Sequence, residues 1–525
     1  EPFGEFDGSP QRADVGIGPY GVYLPASNMD FKHNTMPQTL TIFYTSDVHG
    51  CFESLACCMP QMHKDGNTLV LDGGDMLQGS PTMTCLGRRP GGLAVPAQLL
   101  NAGGYDFVTL GNHDFDYGKA GIEDYLAALD ARCLCANVAG VRGVEKTALV
   151  TLENGLRVGL TGVVTHFVTR FERPETITGI TITDAFEAAK AALAELRAQR
   201  ADVTVCIYHG GYEADLQTGA ILSASGENQG VRICRELDFD VLLAGHQHLA
   251  VPGARVIAAQ RPADKAAFFA RVDVEKTPTG VQAASQLLPA GSEPLPAAQT
   301  LLRPILAEAD RWLDAPAGRL DVPIPAQPPL DAALHGSLLA NFFNQVQLDA
   351  TGADLSVASL SNEPCAVAQD VTVRDIVRAY PYANTLRTIR VTRRVIKAAL
   401  ERSMAYFARD PGGHICVSDA FLHPIPQHFN YDYLSGAVVT ADLRRPVGER
   451  VVSIVYRGEE LPEDLELTLC LNSFRASGAG GYDCYRDCEV LSELSDEVAP
   501  LILRYLERCG RVTVDKTVWL HILKD

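Results

Sequence analysis

TLTIFYTSDVHG at Thr39–Gly50, NTLVLDGGD at Asn67–Asp75, YDFVTLGNHD at Tyr105–Asp114, LRVGLTGVVTH at Leu156–His166, DVTVCIYHGG at Asp202–Gly211 and FDVLLAGHQH at Phe239–His248 decide the fold. Each is a short run of β-branched and aromatic residues, and most close on Gly with Asp, Asn or His. Such runs read as strands, and the Ala- and Leu-rich stretch DAFEAAKAALAELRAQR at Asp184–Arg200 reads as an intervening helix. Strands alternating with helices make an α/β sheet covered on its faces. The polar residues fall at the strand ends, where open α/β sheets hold their ligands.

Working outward, Glu1–Pro37 is rich in Gly, Pro and Asp without periodicity and reads as an N-terminal extension (1–37). The α/β unit is expected over 38–286, and a Pro- and Ala-rich linker over 287–330 containing a helix at Ala297–Leu313. A mixed α+β unit follows over 331–525, with amphipathic helices near Leu334–Leu348 and Arg393–Phe407 and strand-like runs LRTIRVT, AVVTADL, RVVSIVYRG and LELTLCLNSF. At 525 residues the chain calls for two to four domains, which excludes a single small binding module.

Asp and Glu outnumber Lys and Arg by 64 to 45, a net charge of −19, so the surface repels long nucleic acids and anionic membranes. No run of about 18 uncharged apolar residues offers a membrane span. The 14 cysteines form no C-x-x-C pair, and several lie in apolar runs, as in VTVCIYH and LTLCLNS. They read as reduced buried thiols, which favours a reducing compartment, the cytoplasm. An exported protein is the alternative, should a signal have been removed before Glu1. The sequence sets no oligomeric state.

The strand ends carry Asp47-x-His49, Gly74-Asp75, Gly111-Asn112-His113-Asp114, His209 and Gly245-His246-x-His248. Residues at i and i+2 of an extended segment point the same way, so Asp47 with His49, and His246 with His248, can face one site. Carboxylate, imidazole and amide donors without thiolate suit divalent Mn, Fe, Zn or Co. One histidine at a strand end is ordinarily a hydrogen-bonded residue. Five such blocks in succession, holding five of the 13 histidines, are not accounted for that way.

This order of blocks resembles that of the calcineurin-like metallophosphoesterases. The resemblance covers Thr39 to about Val274 and implies an α/β/β/α sandwich with two divalent metal ions. It assigns Asp47, His49 and His248 to one ion, Asn112, His209 and His246 to the other, and Asp75 as the bridge. It further implies water activated by the ions for in-line attack on phosphorus. His113 and Asp116 resemble the dyad of the nucleotidase branch, in which the imidazole stabilises phosphoryl charge or protonates the leaving oxygen and Asp116 orients it.

GVVTHFVTRFE at Gly162–Glu172, the HGG and GEN of His209–Asn228, YPYANTLRTIRVT at Tyr380–Thr392, NYDYLSG at Asn430–Gly436 and LNSFRASGAGGY at Leu471–Tyr482 resemble the two-domain bacterial 5'-nucleotidase and 2',3'-cyclic-nucleotide 2'-phosphodiesterase/3'-nucleotidase family. The resemblance implies a nucleotide substrate whose base is sandwiched by two aromatic rings, at positions matching Tyr431 and Phe474 here. ASGAGGY lacks the Gly-Gly-Asp of the 5'-nucleotidase branch, which with NYD favours the cyclic-nucleotide/3'-nucleotidase side. The rival readings are a 5'-nucleotidase or UDP-sugar hydrolase of the same family, and a nucleotide-binding or surface interaction protein without turnover.

Overall fold

The computed structural model describes residues 38–524 except 173, 215–220, 222–225, 248–255, 259–265, 267, 383 and 424–425. The expected extension at 1–37 lies outside the described residues. Two sheets build the first unit. The seven-stranded one runs, edge to edge, Gly280–Pro289, Phe268–Thr277, Gln38–Thr45, Thr68–Asp72, Phe107–Val108, Arg132–Leu134 and Val144–Glu145. The five-stranded one runs Val256–Ala258, Val241–Ala244, Val203–His209, Arg157–Val164 and Thr147–Thr151. From Gln38–Thr45 to Val144–Glu145 the first sheet is parallel, as is the second from Val256–Ala258 to Arg157–Val164.

The period of two along each strand sorts the side chains. Leu40, Ile42 and Tyr44 meet Val205, Ile207 and Leu243 in a core between the sheets. Phe43, Val70 and Val108 point the other way, into helices Phe52–Cys58, Ala94–Ala102 and Gly118–Ala127. On the far side Val163, Cys206 and Tyr208 pack on helix Ala185–Ala198, whose Asp184 caps it by accepting from the Glu187 amide at 2.9 Å. The layers are therefore α/β/β/α. Because the strands are parallel, the loops after Thr45, Asp72, Val108, His209 and Ala244 open at the strands' carboxyl ends.

Helix Pro296–Leu313 buries Leu302 and Ile305 against the helices of the first unit. Strand Gly280–Pro289 carries the first sheet past the boundary expected at 286. Strand Pro316–Leu320 pairs with Asp370–Thr372 and Arg511–Val512, so a stretch expected as linker is part of the second unit. Pro, Ala and Gly conceal such strands, because none of them shows the β-branched signature.

The second unit is α+β. Its five-stranded sheet runs Asp432–Ser435, Leu355–Ser359, Leu467–Asn472, Thr385–Val391 and Val490–Glu497. Helices Leu338–Thr351 and Val498–Cys509 cover one face through Phe342, Val346, Ile502 and Leu506. Helix Arg393–Met404 covers the other through Ile396 and Leu400. The helix expected near Leu334–Leu348 is two helices, Pro329–His335 and Leu338–Thr351, parted at Gly336 with φ 84°. No helix among the described residues is long and apolar enough to cross a membrane.

Candidate metal centre and second-domain loops

Strand Gln38–Thr45 releases Asp47 and His49 into a tight loop beside the one that follows Thr68–Asp72. Asp47 N donates to Gly74 O at 2.9 Å and His49 N to Asp75 O at 2.8 Å, which fastens the two loops. Gly74 takes φ 91°, and a Cβ there would lie 2.2 Å from Gly111 N, so only glycine lets the third loop approach. Asp47, His49, Asp75 and His246 adopt φ of 54°, 51°, 56° and 74° without being glycine. Left-handed backbone at such residues costs about 1–3 kcal/mol each and gathers at functional sites.

Asp114 sets the frame. It is buried and accepts from four backbone amides: Asp75 at 2.9 Å, Met76 at 2.9 Å, Leu77 at 3.0 Å and Gly111 at 2.8 Å. It thereby holds the Asp75 loop against the Asn112 loop. The sequence places Asp114 in the block without revealing this structural duty.

One ligand atom each from Asp47, His49 and Asp75 lies within 4.8 Å of the others, all three residues being buried. Asp75 is central. Its Oδ2 lies 3.2 Å from His209 Nε2 and 3.6 Å from His49 Nε2, and its Oδ1 accepts from His113 N at 2.7 Å. His246 N donates to Asp47 Oδ1 at 2.9 Å, and His246 Nδ1 stands 2.7 Å from Asn112 Oδ1. Six of the seven expected ligands thus converge. The seventh, His248, lies outside the described residues.

The hydrogen bonds fix tautomers. His49 Nδ1 meets Gln78 O at 2.7 Å and His209 Nδ1 meets Gly73 O at 2.6 Å. A carbonyl only accepts, so each Nδ1 carries hydrogen and each neutral ring turns the lone pair of Nε2 toward Asp75. His209 Nε2 is buried and makes no aligned hydrogen bond. A lone pair aimed at a carboxylate oxygen calls for a cation between them, and the N and O donors suit borderline divalent ions. The residues therefore fit the expected metal. Without a cation, burial pushes the Asp75 carboxyl up, but His209, His113 and His49 outweigh it and hold the group well below the usual carboxylate range. Burial likewise opposes charge on His209, and Asp75 overcomes it, raising the imidazole to about 9.

His113 follows Asn112 yet turns elsewhere. Its Nδ1 lies 3.2 Å from Asp116 Oδ2, and its side chain is 41% exposed against 10% for Asp116. Its ring centroid is 5.4 Å from that of His49. Desolvation disfavours the imidazolium, but Asp116 and Asp75 prevail and raise the group to about 10, a pull partly screened by its exposure.

In the second domain one expectation is corrected. Tyr431 is only 2% exposed, packs on Tyr406, Phe407 and Tyr433, and donates its hydroxyl to Ala333 O at 3.2 Å. A base-stacking ring needs an open face, and Tyr431, buried in the core, has none. Phe474 is half-buried, as is Phe429, two residues before Tyr431. Arg475 joins their loops: it pairs with buried Asp432 at 3.0 Å, donates to Phe429 O at 2.9 Å and lies 5.7 Å from the Phe474 ring centroid. The sequence motif brings attention to this loop, but not to which of its rings stays accessible. Nearer the metal centre, Gln78 touches both units, holding His49 by its carbonyl and donating its side-chain amide to Pro381 O at 3.5 Å.

Residues 40–250 match the model of the calcineurin-like phosphoesterase family, and residues 316–487 match that of the 5'-nucleotidase C-terminal domain. A trifunctional nucleotide phosphoesterase protein, YfkN, of Bacillus subtilis (strain 168) is 21% identical over 92% of this chain and 39% of its own length. A 2',3'-cyclic-nucleotide 2'-phosphodiesterase/3'-nucleotidase of Salmonella typhimurium is 26% identical over 36% of this chain and 30% of its own. The chain thus aligns with well under two thirds of either relative. A crystallised Staphylococcus aureus protein assigned as a 5'-nucleotidase, in complex with alpha-ketoglutarate, superposes with a TM-score of 0.84 at 28% identity, covering 93% of this chain and 100% of that one.

Proposed function

Since the chain belongs to the calcineurin-like phosphoesterases that carry a 5'-nucleotidase C-terminal domain, we propose that it hydrolyses nucleotide phosphate esters, with 2',3'-cyclic and 3'-nucleotides as its preferred class. The observation that carries the hydrolase reading is the convergence of Asp75 with five other donors, Asp47, His49, Asn112, His209 and His246, with the buried Nε2 of His209 left for a cation. Asp47 and His49 would hold one divalent ion, together with His248 of the motif, which lies outside the described residues; Asn112, His209 and His246 would hold the other, and Asp75 would serve both; Mn, Zn, Fe and Co all suit these donors. When bound, such a pair supplies Lewis acidity toward phosphoryl oxygens and brings the pKa of water toward neutrality.

The chain's own residues do the rest. Asp116 keeps the Nδ1 proton on His113, so that the imidazole meets the phosphoryl group as a cation or delivers its Nε2 proton to the leaving oxygen. Phe474 offers a ring to the base, and Phe429 is its companion in place of Tyr431. The preference for cyclic and 3'-nucleotides rests on ASGAGGY, which lacks the acidic residue of the 5' branch. The likeness to the Staphylococcus aureus protein favours a 5'-nucleotidase as the second reading. Purified protein with Mn²⁺, assayed against 5'-, 3'- and 2',3'-cyclic nucleotides and UDP-sugars, tests both. Turnover of the cyclic and 3' esters above the 5' esters is expected; the reverse order selects the second reading, and no turnover of any nucleotide rejects both.

A further inference from the structure

Glu227 belongs to none of the metal blocks, yet its Oε1 lies 2.9 Å from His246 Nε2. The contact is built by its surroundings. Glu227 O accepts from Thr165 Oγ1 at 2.9 Å, Asn228 Oδ1 accepts from Gly211 N at 2.9 Å, and Gln229 N donates to Tyr208 Oη at 2.9 Å. These bonds pin the segment at Glu227 and at the two residues that follow it. The ring of Phe171 lies against His246 at 6.5 Å between centroids and 26° between planes. One edge of the His246 ring therefore meets Glu227, one face meets Phe171, and the remaining nitrogen, Nδ1, looks toward Asn112 Oδ1 at 2.7 Å.

His49 and His209 are fixed the opposite way. Backbone carbonyls take their Nδ1 hydrogens and leave Nε2 to the centre. Among the described residues no backbone carbonyl accepts from the His246 ring, and a carboxylate takes the role from the Nε2 side.

We propose that Glu227 is a positioning residue for the Asn112–His209–His246 ion: by accepting from Nε2–H it fixes the tautomer that presents the Nδ1 lone pair of His246 beside Asn112 Oδ1. A carboxylate acceptor also makes the imidazole a stronger donor than a carbonyl would, and removing such a partner typically weakens metal binding about 10- to 100-fold. The proposal rests on reading the cluster as two divalent-ion sites.

The test compares wild type, Glu227→Ala and Glu227→Gln, each stripped of metal and titrated with Mn²⁺. The readouts are ions bound per chain and the electron paramagnetic resonance of the bound Mn²⁺. Wild type should take two ions and give the spectrum of a coupled pair. Glu227→Ala should hold one ion as wild type does, bind the second about 10- to 100-fold more weakly, and show an uncoupled ion at limiting metal. Glu227→Gln retains an acceptor oxygen and should restore the pair. Should the alanine variant unfold, Glu227→Met fills the space without an acceptor and should lose the same ion. Equal affinity for both ions in wild type and the alanine or methionine variant overturns the proposal. Loss of the ion in Glu227→Gln as severe as in Glu227→Ala overturns it too, since Glu227 would then itself be a ligand. A wild type that takes up no Mn²⁺ fails at an earlier step, overturning the metal reading and the proposal with it.

Discussion

Asn112 and His113 are sequence neighbours with opposite duties. The Asn112 amide oxygen faces His246, whereas the His113 ring turns to Asp116 and stays 41% exposed. His113→Ala should therefore keep both ions and lose turnover by about 100-fold or more, the scale expected of a general acid or charge-stabilising group. Metal content measured beside kcat checks this, and loss of an ion would make His113 a ligand. Asp75 is the reverse case, since its oxygens face two histidines and the His113 amide. Asp75→Asn removes the charge that the two proposed ions would share, and it should emerge folded, depleted of metal and nearly inactive. Circular dichroism, elemental analysis and kcat read the three in turn. Tyr431 teaches a different lesson. With its ring inside the core, Tyr431→Ala should lower stability by about 3–5 kcal/mol and impair nucleotide and aliphatic phosphate esters alike. Phe474→Ala should instead lower kcat/KM for nucleotides by roughly 5- to 150-fold while sparing an aliphatic ester. Equal losses on both esters for Phe474→Ala would assign that ring to the fold as well.

At the scale of elements, the centre is three loops: one buried carboxylate, Asp114, joins those of Asp75 and Asn112, and backbone bonds to Gly74 O and Asp75 O fasten that of Asp47 and His49. Asp114 accepts four amides, so Asp114→Ala strands four buried N–H groups, each costing about 1–3 kcal/mol when left unsatisfied. The expected outcome is a first domain destabilised by roughly 3 kcal/mol or more, measured by denaturant unfolding of the metal-free protein; a change below about 1 kcal/mol would mean that water replaces the carboxylate freely. These loops also mark where the sequence is legible. The strands declare themselves because most of the apolar runs end on Gly beside a polar residue, and parallel topology brings those ends to one edge. That pattern marks the blocks holding Asp47, His49, Asp75, Asn112, His209 and His246, and the family resemblance selects Asn112 as the ligand over His113 and Asp114. Gln78 could not be read that way, because it acts through its backbone carbonyl, which any residue supplies. Nor could the burial of Tyr431, which is decided by Tyr406, Phe407 and Tyr433 from other segments, or the strand Pro316–Leu320, whose partner Arg511–Val512 lies far along the chain.

Over the whole molecule, helix Pro296–Leu313 joins two units that meet metal on unequal terms. It is anchored to the first by buried Leu302 and Ile305, by Arg89 Nη1 on Glu308 at 2.6 Å and by Arg88 over the Trp312 ring at 5.3 Å. To the second it offers Leu313 against Val373 and Val377, and Asp310 and Asp314 to Arg374 at 2.8 and 2.9 Å. All six described donors, however, belong to the first unit. That unit also confines the carboxylates of Asp47, Asp72, Asp75 and Asp114, all buried, with burial pushing Asp72 up to about 7. Crowded carboxylates and left-handed loop residues make the metal-free first domain costly to hold together, and cations relieve the first of these burdens. Binding to the native state alone stabilises by about 2.7 kcal/mol at a hundred times Kd for each site. Scanning calorimetry with Mn²⁺ and then with excess chelator should therefore show two transitions, of which chelation lowers only the first domain's. Phe474→Ala, a second-domain change, should leave the size of that shift untouched, whereas Asp75→Asn should abolish it. A chelator shift of equal size in both transitions would mean that the helix couples the two units into one cooperative fold. No shift at all would mean that the strained loops are held by protein contacts alone.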